Sequence, residues 1–176
     1  MISSHAVEVS FRWRSIGHAT LVARMYNAVH SWQESGDAMF RKILVAVDGS
    51  RHSSRALEFA DDLSRRYNTP LLVLHAFPHV SDLLGTPQYE RVLVARSMIG
   101  EQLLASARAQ LSDRDVETQL IEGPPAPAIL RVAAEESCDL IVMGVHGRNA
   151  LDLMLFGSTT NQVVRRATCP VLTLRR

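Results

Sequence analysis

Three glycines define the chemistry open to this chain. Gly144 closes an apolar run (Leu140, Ile141, Val142, Met143), Gly147 follows after two residues, and Gly157 follows after nine more, with Ser158 next to it. A short run that is apolar throughout marks a strand buried on both faces of a parallel sheet. Beyond Ser158, the residues Thr160, Val163, Val164 and Ala167 recur at helical spacing. A strand, a glycine loop and a helix start in that order form a phosphate-binding geometry. Glycine lets backbone approach an anion with no Cβ in the way, and the free N–H groups of a helix start attract negative charge. The spacing is not that of a Walker A loop, because no Lys follows the last glycine, and it is not GxGxxG. Turn and cap roles would account for one such glycine more readily than for three in this register followed by Ser.

Other residues carry chemistry less specifically. Asp48 ends an apolar run, KILVAV (42–47), and precedes Gly49-Ser50. It reads either as a turn or capping aspartate or as a ligand group at a strand tip. His146 lies within the glycine loop, in position to meet a phosphate, and a plain loop histidine is an equal reading. Arg148 has the charge and reach for a phosphate. His75, inside a second apolar run, reads as a hydrogen-bonded strand histidine. Arg165 and Arg166 fall near the end of the last helix, where the helix dipole favours cations. No nucleophile–base–acid set is visible, with no GxSxG elbow, no HExxH and no paired carboxylates on one face. A kinase or ATPase needs a metal-holding acid and a base at the γ-phosphate. Asp48 alone, helping to hold Mg²⁺, is no such constellation, so the sequence does not support enzymatic turnover.

The elements that must position these residues alternate. Strands are expected at 42–47, 71–76, 116–121, 140–143 and 171–174. The first helix, about 53–67, carries Ala56, Leu57, Ala60, Leu63 and Tyr67 on one stripe, with Ser50 or Ser53 as its cap. A long helix running to about Ser112 has Val92, Leu103, Leu104, Ala107 and Leu111 as its core face, with Gly100 inside it counting against continuity. Val116 to Ile121 alternates as a half-exposed edge strand does. Pro127 suits the first turn of the next helix, whose core face is Ile129, Leu130 and Ala133. The pattern β-α-β-α-β-α-β-α-β predicts a parallel sheet covered on both faces, with a ligand crevice at the carboxyl ends of the strands, between the tips at Asp48 and Gly144.

These blocks together resemble the universal stress protein family. The resemblance covers residues 39–176 and rests on KILVAVDGS, LIVMGVHGR, GSTTNQVVRRATCPVLTL and the glycine spacing between the last two. It implies a doubly wound, Rossmann-like α/β fold with five parallel strands in the order 3-2-1-4-5. It implies a homodimer through the last strand, Val171 to Leu174. It also implies an adenine-nucleotide site for ATP, with Mg²⁺ as a candidate companion. In that site Asp48 lies near ribose and adenine, and the backbone at Ala76 faces adenine. Met143, Gly144, Gly147 and Arg148 form the ribose-phosphate loop, and Gly157, Ser158 and Thr159 supply donors to the phosphates. Ala46 departs from the pattern, since some nucleotide-binding members have Pro there.

Length and composition bound the rest. The chain has 176 residues, 47% hydrophobic and 21% charged, with a formal net charge of +1. That suits one folded domain and gives no bulk charge to attract nucleic acid or acidic lipid. Cys138 and Cys169 lack CxxC or Cys/His spacing, so neither a disulfide framework nor zinc is expected, and a reducing cytoplasm fits. No apolar run approaches the ~20 residues of a membrane span. Residues 1–38 fit no sustained period and have no counterpart in the family pattern. They are expected to be a disordered extension or a misassigned start, with a docking helix over 18–32 as the alternative. Three functions remain open: an ATP-binding dimeric regulator with a protein partner of unknown identity, a nucleotide-independent interaction module, and a slow ATPase or phosphotransferase.

Overall fold

The computed structural model describes residues 8–10, 40–79, 86–111, 116–145 and 157–174. In chain order the elements are β1 (Glu8–Ser10), β2 (Ile43–Ala46), α1 (Arg51–Tyr67), β3 (Leu71–Phe77), α2 (Thr86–Gln110), β4 (Glu117–Glu122), α3 (Pro125–Glu135), β5 (Leu140–Gly144), α4 (Ser158–Arg166) and β6 (Val171–Leu174). The sheet order is β1-β6-β5-β2-β3-β4. Its five strands from β2 onward are parallel, in the 3-2-1-4-5 order expected.

Unbroken apolar runs form the centre because each face of the sheet needs its own set of side chains. Ile43, Val45, Val73 and Val142 pack with Ala56, Leu57 and Ala60 of α1 and with Leu104 and Ala107 of α2. Leu44, Leu72, Leu74, Ile141 and Met143 pack with Ile129 and Val132 of α3 and Val163 of α4. Alternate residues of each strand thus serve opposite helix layers, which is the period of two of a pleated strand.

Local signals place the helix ends. Ser50 rather than Ser53 caps α1, its Oγ accepting from the Ser53 N–H at 3.1 Å. Asn68 in the left-handed region (φ 49°, ψ 46°) closes the same helix and donates to Ser64 and Arg65 carbonyls. Tyr67, expected on the core stripe, is instead exposed and meets Phe40 edge-on at 6.2 Å. Gly100 does not interrupt α2. A Cβ there would stand 2.4 Å from Leu120 Cδ1 and 3.2 Å from His75 Cδ2, so this glycine lets the helix lie close on β3 and β4. At the opposite end of the sheet, Lys42 Nζ bonds Glu117 at 2.7 Å and Glu136 at 2.6 Å, tying the approach to β2 to β4 and to the end of α3.

Beyond the five parallel strands expected, the sheet carries a sixth, antiparallel one: three residues of the extension pair with β6, Glu8 with Thr173, Val9 with Leu172, Ser10 with Val171. Periodicity had no means of marking a three-residue strand whose partner lies more than 160 residues away. Among the described residues no helix is long and apolar enough to cross a membrane.

Candidate functional site

A cleft opens at the carboxyl ends of β2, β3 and β5, bounded by the first turns of α3 and α4. β2 is where the winding reverses, with β3 on one side and β5 on the other, so the cleft lies at the topological switch point. The tips at Asp48 and Gly144 are neighbours as expected, because Ala46 is in register with Met143. Ala46, Leu74, Ala76 and Met143 give the cleft an apolar floor, Pro125 and Ile129 a wall, and Asp48, Ser53, Thr159 and Thr160 a polar rim.

Asp48 is held by a local turn. Its Oδ1 accepts from Ser50 N–H at 3.0 Å, its own N–H donates to Ser53 Oγ at 3.3 Å, and Gly49 beside it sits at φ 76°. Asp48 therefore serves the turn before α1, whose cap is Ser50, and lies at the cleft as well. His75 lies behind the floor, buried, with Nδ1 2.7 Å from the Val47 carbonyl, as a strand histidine should be.

The start of α4 is fixed to the tip of β5 by two bonds. Gly157 N–H donates to the Val145 carbonyl at 2.9 Å, and Thr160 Oγ1 donates to the Gly144 carbonyl at 2.9 Å. Gly157 is the N-cap, extended at φ −63° and ψ 157°, and it offers no side chain to the N–H groups behind it. A helix start with no side-chain cap presents its donors to whatever anion is near. Thr159 and Thr160 line the cleft, Ser158 beside them is exposed, and Gly157 is buried.

Gly144 has a packing reason of its own. A Cβ there would come within 2.7 Å of His52 Cβ and 2.8 Å of the His52 carbonyl carbon, so the first turn of α1 rests directly on the end of β5. His146, Gly147 and Arg148 lie outside the described residues. The sequence reading passed over Leu74, Ser53, Pro125, Ile129 and Thr160 in the cleft. Pro125 opens α3 and Ile129 lies one turn further on, so a helix starting at this sheet end carried the signal. Among the described residues no group of three or more His, Cys, Asp or Glu is arranged to hold a metal ion.

Comparison with known proteins agrees with this fold. The model of the universal stress protein family matches residues 39–175. The chain belongs to the universal stress protein family. A universal stress protein of Thermus aquaticus is 41% identical over 137 residues, 78% of this chain and all of the relative. Among solved structures, the universal stress protein UspA of Lactobacillus plantarum superposes with a TM-score of 0.71 at 26% identity, over 79% of this chain and 100% of that one. A universal stress protein solved in complex with cAMP superposes with a TM-score of 0.59 at 25% identity, over 79% of this chain and 99% of that one. In this universal stress protein the family match begins at residue 39, so β1 lies outside it.

Proposed function

We propose that this protein binds ATP in the cleft at the strand tips and acts as a dimeric regulator in the stress response. The observation that carries the reading is the uncapped start of α4, locked beside the tip of β5 by Gly157 and Thr160. Phosphates would be held by the backbone donors of Ser158 and Thr159, with Gly144, Gly147, His146 and Arg148 in the same loop. The adenine would lie on the small side chains Ala46 and Ala76, with Asp48 toward the ribose. The lining suits such a ligand: Ala46, Leu74, Ala76 and Met143 are apolar, and Ser53, Thr159 and Thr160 bring hydroxyls beside the uncapped start of α4. The complex of a related structure with cAMP supports an adenine nucleotide as the ligand class. Mg²⁺ would arrive with the phosphates, since the protein's own share of a metal site is Asp48. A homodimer through Val171 to Leu174, formed when β1 leaves that edge, and a cytoplasmic location, suited to two free cysteines, belong to the same reading.

The test is mass spectrometry of nucleotide released from the purified protein, followed by calorimetric titration with ATP and Mg²⁺. Bound ATP or micromolar affinity is the expected result. An empty protein that ignores ATP would overturn the reading and leave the cleft to a partner protein.

A further inference from the structure

We infer that β1 is an internal substitute for a second copy of the chain, guarding the β6 edge against self-association. The inference rests on the proposal that copies pair through Val171 to Leu174, and it adds that the extension controls that pairing.

Backbone alternation decides which groups β6 offers to its open side. The carbonyls of Pro170 and Leu174 accept from Ile141 and Val145 on the β5 side. Bonding groups alternate in direction along a strand, so those of Leu172 also face β5, while those of Val171 and Thr173 face away from it. Glu8 and Ser10 stand opposite Thr173 and Val171 respectively. β1 thus takes up the two outward residues of β6, with Val9 opposite Leu172 between them.

A second copy would need these same positions. Two antiparallel β6 strands related by a two-fold axis can bond only through their outward residues. The register that engages both of them sets Val171 against the partner copy's Thr173, with the axis at Leu172. In that arrangement β1 stands where the partner's strand would stand: Glu8 for Val171, Val9 for Leu172, Ser10 for Thr173. The last two exchanges keep the chemical character of the residue.

The two ends of the parallel sheet differ in their suitability for self-pairing. β4, at the far edge, carries Glu117 and Glu122 at its ends, charges of the kind that blunt an exposed edge. β6 reads Val-Leu-Thr-Leu, has no charge and is mostly buried. An uncovered, uncharged edge of this kind templates pairing with another chain. Because β1 belongs to the same chain, a second copy at micromolar concentration competes with a local concentration that tethering raises far above it. The three-residue pairing is also short enough to be displaced if something else engages the extension.

The test compares the full chain with Ser10→Pro and with a chain beginning at Met39, by light scattering coupled to gel filtration, with amide exchange read at Val171 and Thr173. Proline at position 10 removes an N–H that faces β6 and changes no residue of the five parallel strands or of the helices. The shortened chain retains the core residues buried among the described residues, and the Thermus aquaticus relative is matched whole by 78% of this chain. The expected result is a monomeric full chain with slow exchange at both amides, and a doubling of mass in both variants with that protection retained. A full chain that is already a dimer would overturn the guarding role and leave pairing through β6 standing. Three monomers, with exchange at Val171 and Thr173 fast in the variants, would overturn the inference together with pairing through β6. Neither result bears on ATP binding, which the titration reads separately.

Discussion

At the residue scale, Gly144 shows how one position can be read correctly for location and incompletely for cause. Its place at the end of an apolar run put it at a strand tip facing the cleft. Its lack of a side chain serves the contact with His52 and Ser53, whose nearest atoms include backbone. A flexible side chain could give way to a new methyl group, but helix backbone cannot. Gly144→Ala is therefore expected to destabilise the protein by about 1–3 kcal/mol, the usual cost of overpacking. A lowered denaturant midpoint at unchanged slope is the measurement, and an unchanged midpoint would show that α1 can lift off the tip freely. Gly157 is the converse case. Its backbone is ordinary extended chain, so its value lies in being a cap without a side chain. Cys138 is inert for a plain reason: burial pushes its thiol up from 9.0 to about 11, which leaves almost no thiolate near neutral pH.

At the element scale, the strand ends remote from the cleft are held by charge. Burial is the largest single influence on the Lys42 ammonium and acts to lower its pKa, but the bonds to Glu117 and Glu136 together outweigh it and raise it above 10.5. The bond from Lys42, then that from Gln119, holds Glu136 below its ordinary 4.5. Both shifts stabilise the fold at neutral pH. The Glu136 share is present above its ordinary value and is lost as pH falls through the lowered one. The Lys42 share is present below 10.5 and is lost as pH rises through the raised value. In Lys42→Met the Glu136 carboxyl is expected to titrate closer to 4.5, and the acid side of the stability profile to flatten. Side-chain NMR titration checks the first and denaturation across pH the second; an unmoved Glu136 would show the pairing to be energetically empty. α2 teaches a related lesson. Gly100 lowers helix propensity by roughly 1 kcal/mol relative to Ala, yet the helix continues, because the same missing side chain permits its contact with Leu120 and His75.

At the scale of the whole molecule, the cleft belongs to no single element. β2, β3 and β5 supply its floor, and α3 and α4 begin beside it because each crossover in a parallel sheet leaves from the carboxyl end of a strand. A ligand that binds only this assembled cleft must stabilise the fold by linkage. ATP at about a hundred times its dissociation constant is expected to add about 2.7 kcal/mol. For a domain of this size that raises the melting temperature by roughly 8 °C. Thermal unfolding across an ATP series measures it, and a melting temperature indifferent to ATP would contradict binding to the native state.

Much of this was legible in the sequence because its physical causes are local. Apolar runs such as Leu140–Met143 specify buried strands, the stripe Ala56, Leu57, Ala60 specifies the covered face of α1, and the glycine spacing with Ser158 points to a helix start that can meet an anion. Their alternation determined the class of fold. What only the tertiary structure decided depends on groups distant in sequence that meet across the sheet. Examples are the seat of His52 on Gly144, the approach of α2 at Gly100, the bonds of Lys42 to Glu117 and Glu136, and the pairing of Glu8–Ser10 with β6. Each is a contact between elements, set by how closely two backbones approach or which edge is left uncovered. Neither quantity exists until the chain has folded.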